Sequence, residues 1–248
     1  MKKHHIKKKR QTKGSVFFRI SQIFVLCLFI GAGFLFFRAG YIQTVFSLYK
    51  EAKEVIADSS IDDFRNYQSG EVYGADGELI ALLRNDRNIT YLTSDEIPQQ
   101  VKNAFVSIED KRFYKHGGFD PFAIVRASLS LISKNSISQG GSTITQQLAR
   151  NIYLTHTVRW ERKVEEIFIA IALENKYSKD EILEFYINNI YYANGYYGIQ
   201  AASRGYFSKD ADELTLSETA FRCAIPNSPN LYDPLTNGEN TLKRRDLI

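Results

Sequence analysis

Cysteine is nearly absent: the 248 residues hold two, Cys27 and Cys223. Cys27 lies in a long apolar stretch and Cys223 far beyond it, so the two cannot pair. A disulfide-stapled scaffold is excluded, and a packed core must carry the stability. There are no internal repeats and no low-complexity segment. Residues 1–19 contain no acid at all, yet carry eight Lys or Arg. The formal net charge is +4, so removing those eight cations leaves 4 − 8 = −4 for the remainder. A body of that sign is not a general nucleic-acid binder.

Charge is missing again from Ile20 to Phe37, between Arg19 and Arg38. At 1.5 Å per helical residue this run spans roughly 27 Å, close to the hydrocarbon thickness of a bilayer. It is longer than the apolar region of a cleaved signal peptide, and no A-x-A site follows it. Residues 20–38 are therefore expected to form an uncleaved anchor, with the basic tail 1–19 in the cytoplasm and the rest outside, a single-pass type II arrangement at the cell membrane. A basic DNA-binding arm is the other reading of the tail, and the adjacent span argues against it.

Residues 39–60 read as a helical stalk, and 61–248 as one domain. Alternation around Gly74-Ala75-Asp76-Gly77 predicts a β-hairpin over about 71–83. The remainder reads as helical. Thr93 with Glu96 forms a capping box ahead of a helix with Ile97, Val101, Ala104, Phe105 and Ile108 on one face, ending near Glu109. Asp120-Pro121 opens a helix through Ile132. Ser142 caps one through Tyr153. A long helix runs from about Arg159 to Tyr177, with Val164, Ile167, Phe168, Ile171 and Ala172 as its apolar stripe. Ser178 with Glu181 and Thr215 with Glu218 are further capping boxes, the second opening a helix that Pro226 ends. Lys243 to Ile248 reads as the start of a helix, which predicts that the chain continues. Lys179 and Lys209 are placed on solvated faces.

Four segments carry chemistry. Glu109 and Asp110 end an amphipathic helix and precede Phe113, Tyr114, His116 and Gly117. A carboxylate among aromatics can be held as a base or an acid; a solvated helix end is the plainer reading. Gly140-Gly141-Ser142-Thr143 opens a helix whose N-terminus favours anions, with Gln146 and Arg150 four apart on one face. A capped surface helix is the alternative there. Arg162 and Glu166 form an i, i+4 pair beside Lys163: either a surface salt bridge or two cations for phosphate oxygens with a carboxylate to orient them. Asn188 through Ala202 is dense in tyrosine and amides, which suits either a sugar-binding wall or a packing seam.

Taken together and in order, these segments resemble the motifs of the peptidoglycan glycosyltransferases (glycosyltransferase family 51). Ala104–Gly117, Gly140–Asn151, Arg162–Glu166, Lys179–Ile199 and Leu214–Pro229 stand where that family has its five motifs, so the likeness covers about residue 71 to the end. It implies a mainly α, lysozyme-like, two-lobed domain with a short β-hairpin, preceded by one transmembrane helix. It implies polymerisation of lipid II into glycan strands with inversion and release of undecaprenyl diphosphate. Under it, Glu109 is the general base for the acceptor's 4-hydroxyl, and Glu166 the second carboxylate, beside the diphosphate. Ser142, Thr143, Gln146, Gln147, Arg150, Asn151, Arg162 and Lys163 are assigned to substrate and diphosphate, with Asp110, Phe113, His116, Gly140 and Gly141 supporting them. No protein-held metal set is implied; the resemblance admits a divalent cation, Mg2+ or Mn2+, at the diphosphate and no other cofactor. Expected partners are lipid II, the growing strand, the bilayer and other cell-wall synthesis or division proteins, and no nucleic acid. The sequence departs from the family pattern with Arg150 for the usual Lys, Gln139 for a basic residue, and Phe221-Arg222-Cys223 for small apolar ones. An inactive lipid II-binding scaffold and a lytic glycan-cleaving enzyme are the rivals. The three cations disfavour the lytic enzyme, and the intact carboxylates disfavour the scaffold. A monofunctional enzyme and the first part of a bifunctional penicillin-binding protein are both open; the Asp-Gly hairpin over 71–83 resembles the bifunctional class, and the abrupt end points to truncation.

Overall fold

The computed structural model describes residues 40–65, 70–76, 78–83, 90–134, 140–155 and 159–248, with single positions between 18 and 38. The chain divides into two units, 1–47 and 48–248. In the first, the described positions from Phe18 to Arg38 are helical, and Phe18, Phe24, Phe29, Phe34 and Phe37 are exposed. Among the described residues no helix is long and apolar enough to cross a membrane. Much of the expected span 20–38, and nearly all of the tail, lies outside the described residues, as does Gln139. Helix α1, Tyr41–Asp58, occupies the expected stalk.

The second unit is mainly helical. After α1 come α2 (Ile61–Arg65), strands β1 (Gly70–Tyr73) and β2 (Leu79–Leu83), then α3 (Gln99–Glu109) and a 3-10 turn at Phe113–Lys115. Then follow α4 (Pro121–Lys134), α5 (Ile144–Tyr153), α6 (Trp160–Lys176), α7 (Lys179–Asn189), α8 (Ile199–Phe207), α9 (Leu216–Ala224) and α10 (Gly238–Arg245). The hairpin is antiparallel, pairing Gly70 with Leu83 and Val72 with Ala81.

The core is built on α7, which packs on α5 and lies beside α2, α6 and α8. Ile182, Leu183, Phe185, Tyr186 and Ile187 are all fully buried. Phe64 of α2 stacks on Phe185 with ring centroids 4.0 Å apart and meets Tyr177 and Tyr153 edge-on, locking the N-terminal segment to the core. Glu184 extends the same join by accepting from Tyr91 Oη, Arg65 and the Ser94 amide.

The boxes at Ser178–Glu181 and Thr215–Glu218 form as expected. Four elements differ from the sequence reading. Thr93 and Glu96 do bond to each other, but α3 starts only at Gln99, behind Pro98. A proline keeps the residue before it out of the helical region, so Ile97 cannot belong to α3. The cap of α5 is Thr143 and not Ser142, because the box needs a Gln or Glu three residues on and only Thr143 has one, in Gln146. Lys243, Arg244 and Arg245 end α10 and start nothing; cations suit the last turn of a helix. In α6 the buried residues are Glu166, Ile169, Ala170 and Leu173, while the expected stripe at Val164, Ile167, Phe168, Ile171 and Ala172 is half-buried on a second apolar face.

Candidate active site

Glu109 is the last residue of α3, and its side chain is 5 % exposed. Its Oε2 accepts from Gln147 Nε2 at 3.0 Å. Gln147 is oriented in turn by Tyr186, whose buried hydroxyl donates to Gln147 Oε1 at 3.1 Å. The Tyr186 contact fixes which end of the amide faces the acid. Burial pushes the Glu109 carboxyl above its ordinary value; Gln147, Arg244 and Arg150 each pull it back. A carboxyl whose proton affinity is raised in this way takes up a proton more readily than a solvated one, which is what a general base requires.

Asp110 and His116 build the next wall. Asp110 Oδ2 accepts from the Ile144 amide at 3.1 Å and from His116 Nε2 at 2.8 Å. His116 Nδ1 accepts from the Gly118 amide, so Nε2 carries the proton. Gly118 O accepts from Thr143 Oγ1 at 2.7 Å. Asp110, His116 and Thr143 thus set the first turn of α5 in place, with fully buried Phe113 packed edge-on to the imidazole. Gly118 permits this: φ is +90°, and a Cβ would stand 2.5 Å from Ala170 O.

Beyond that turn lies Glu166 of α6, 0 % exposed, with Arg162 Nη1 at 3.2 Å from Oε2 and Lys163 Nζ on Oε1. Lys163 also donates to Ser142 Oγ at 2.9 Å, tying the cation pair to the segment before α5. Helix α5 therefore joins the two carboxylates: Ser142 leads to Lys163 and Glu166, and Gln147 to Glu109. Arg150, on the same helix, has no hydrogen-bond or ion-pair partner among the described residues, and neither has Asn151.

Several expectations change. Gln146 is not a ligand group on the Arg150 face: it is 1 % exposed, with Oε1 on the Thr143 amide. Gly140 has open space around it, whereas Gly141 packs against Ile124 and Ala127. The amides of Asn188 and Asn189 reach back to Leu92 and Phe64, and Tyr192 is fully buried, so these residues are a packing seam, while Tyr191 and Asn194 of the same stretch are exposed. Lys179 is not solvated. Its Nζ donates to His116 O and Glu174 and sits 4.3 Å from the Phe113 ring centroid. Lys209 pairs with Glu218. Among the described residues no three His, Cys, Asp or Glu cluster for a metal, and both Glu166 oxygens already face cations.

A family model described as transglycosylase matches residues 76–248, well over half of the chain. The chain belongs to the transglycosylase family. This transglycosylase is 43 % identical to penicillin-binding protein 4 of Bacillus subtilis over 213 residues, 83 % of this chain and 34 % of that protein. It is 39 % identical to penicillin-binding protein 1A of Escherichia coli over 225 residues, 90 % of this chain and 25 % of that one. The chain thus spans about a third or less of these relatives. A crystal structure of penicillin-binding protein 1A from Haemophilus influenzae aligns with 73 % of this chain and 17 % of its own, at 24 % identity and a TM-score of 0.38.

One residue of the transglycosylase site escaped sequence reasoning. Arg244, near the end of α10 and 11 % exposed, places Nη2 3.5 Å from Glu109 Oε1 and lies over the Tyr232 ring. Its only sequence signal is a basic run, which is usually solvated. Removing its charge leaves burial less opposed and raises the Glu109 pKa further. Arg244→Met is expected to move the acidic limb of the pH–rate profile to higher pH, and Arg244→Lys to restore part of the shift. A profile that stays in place in a folded Arg244→Met protein rejects this role.

Proposed function

We propose that this protein polymerises lipid II into peptidoglycan glycan strands with inversion, releasing undecaprenyl diphosphate, as a two-lobed, lysozyme-like domain held at the outer face of the cell membrane. The observation that carries the reading is a division of labour: one buried carboxylate held by the Gln147 amide and, at 3.5 Å, by Arg244 alone, and a second one whose two oxygens are each taken by a cation. Glu109 takes the proton of the acceptor's 4-hydroxyl. The resulting oxygen attacks the anomeric carbon from the face opposite the diphosphate, and the breaking C–O bond leaves its electron pair on that diphosphate. Arg162 and Lys163, held by Glu166, together with Arg150, stabilise the charge as it develops. A one-step inversion needs one base and one leaving-group stabiliser, which matches the two carboxylates.

The test is the full chain with lipid II in bilayers. Polymer on a gel together with released undecaprenyl diphosphate is the expected result. Soluble fragments cut from preformed strands would instead make it a lytic enzyme, and neither product would make it a scaffold. Arg150→Ala, Arg162→Ala and Lys163→Ala are each expected to weaken binding of a moenomycin-type phosphoglycolipid, and Lys209→Ala is not. Equal losses at all four would mean a global charge effect. Lys179 cannot serve as a control, since it supports His116.

Helix α4 bears on membrane contact. Phe122 is 65 % exposed and Val125 58 %, beside exposed Ile124. Three apolar side chains on one turn suit the bilayer interface. Phe122→Ser with Val125→Ser is expected to reduce liposome flotation of a protein lacking residues 1–40; unchanged flotation leaves the anchor alone to hold the enzyme.

A further inference from the structure

Helix α6 is apolar on two faces. Ile169, Ala170 and Leu173 are in the core, while Phe168, Ile171 and Ala172 face α1 and are only half covered by it. Tyr49 meets Phe168 edge-on at 5.5 Å. Behind that contact lies a cavity of about 420 Å³, floored by Ile56 and lined by Phe168, Ile171 and Ala172, with Lys53 among its walls. Lys176 also lines it, and its Nζ donates to the carbonyls of Ile56 and Ala57 at 2.8 and 2.9 Å, pinning the end of α1. A void with such walls forfeits dispersion contacts and offers water few partners.

What fits it follows from the same helix. Lys163, Ile167 and Ile171 are spaced four apart, so the cation at the start of α6 stands at the edge of the apolar face. Eight residues separate Lys163 from Ile171, about 12 Å along the axis. The Glu165 carboxyl is pushed up by burial and then by Glu51 of α1, so acids meet between these helices and an anionic head is disfavoured there. The fitting ligand keeps its anion on the first turn of α6 and lays a hydrocarbon tail into the groove.

We propose that the groove between α1 and α6 holds the first isoprene units of a polyprenyl diphosphate whose diphosphate lies on Arg162 and Lys163. This deepens the reading given above and rests on it.

Trp160, the only tryptophan and the first residue of α6, is a built-in reporter. The full chain in lipid nanodiscs is titrated with inorganic diphosphate and with farnesyl diphosphate, following Trp160 fluorescence. Farnesyl diphosphate is expected to bind about tenfold tighter or more, since burying roughly two methylenes gives that factor. Ile171→Asp and Ala172→Phe are expected to erase the preference while leaving inorganic diphosphate binding intact, and Lys163→Ala to weaken both ligands. Absence of inorganic diphosphate binding sinks the underlying reading first. Diphosphate binding without a farnesyl preference, or a preference that survives both groove variants, overturns the groove alone. So does equal competition by a bilayer phospholipid. Should the variants lose their fold by circular dichroism, a benzophenone-bearing farnesyl diphosphate on the wild type decides: label near Tyr49 or Phe168–Ala172 supports the groove, and label confined to other peptides overturns it.

Discussion

Glu109→Gln is expected to lower lipid II polymerisation about a hundredfold or more, the scale of general-base catalysis, without loss of fold. Glutamine keeps the shape and can still accept from Gln147, but it cannot take a proton. The stability effect runs the other way. Burial raises the folded-state pKa of Glu109, so the folded protein holds that proton more tightly than the unfolded chain does. The corresponding stability is present in full below the unfolded value and is lost as pH rises through the folded value. Once Glu109 is ionised its buried charge is a cost, and glutamine removes it. The melting temperature of Glu109→Gln at neutral pH should therefore equal or exceed that of the wild type, with the advantage shrinking in acid. Near-full activity in the folded variant would falsify the assignment of Glu109 as base. A lower melting temperature at neutral pH would mean instead that Glu109 is held mainly as a structural partner of Arg244 and Gln147.

Where bonding is local, the sequence could be read. The boxes at Ser178 and Thr215 depend on residues three apart, and Asp120 caps α4 through the amide two residues on. The misses are tertiary. Arg244 and Glu109 lie on α10 and α3, and only the packing of both helices on α9 brings them together. Asn188 and Asn189 could be read as a ligand wall or as a packing seam, and the partners that decide for the seam, Leu92 and Phe64, are 96 and 125 residues away in the chain. Helix α8 has no capping side chain to announce it. It starts at Gly198, with φ +76°, where a Cβ would stand 2.5 Å from Asn188 O, so the signal is a glycine forced by close packing. The second apolar face of α6 looked like the core stripe because periodicity shows that a face is apolar, not which neighbour covers it.

Glu166→Ala carries the largest expected loss of stability. Glu166 is fully buried and pairs with two cations, one of which also holds Ser142. Removing one member of a buried ion pair costs about 3–5 kcal/mol, because the partners stay desolvated. Arg162 and Lys163 are part-exposed and can recover some hydration, which favours the lower end, near 3 kcal/mol. For a domain of this size that is a fall in melting temperature of roughly 6 to 12 °C. Polymerisation should drop as well, since freed cations no longer point at one diphosphate. The decisive comparison is Glu166→Ala combined with Lys163→Ala. If Glu166 acts by holding the cations, the double variant should be less destabilised than the two single losses added together, because only Arg162, and no longer Lys163 as well, is left facing an empty place. Strict additivity would show that the two side chains act independently, and Glu166 would then need a direct role at the substrate.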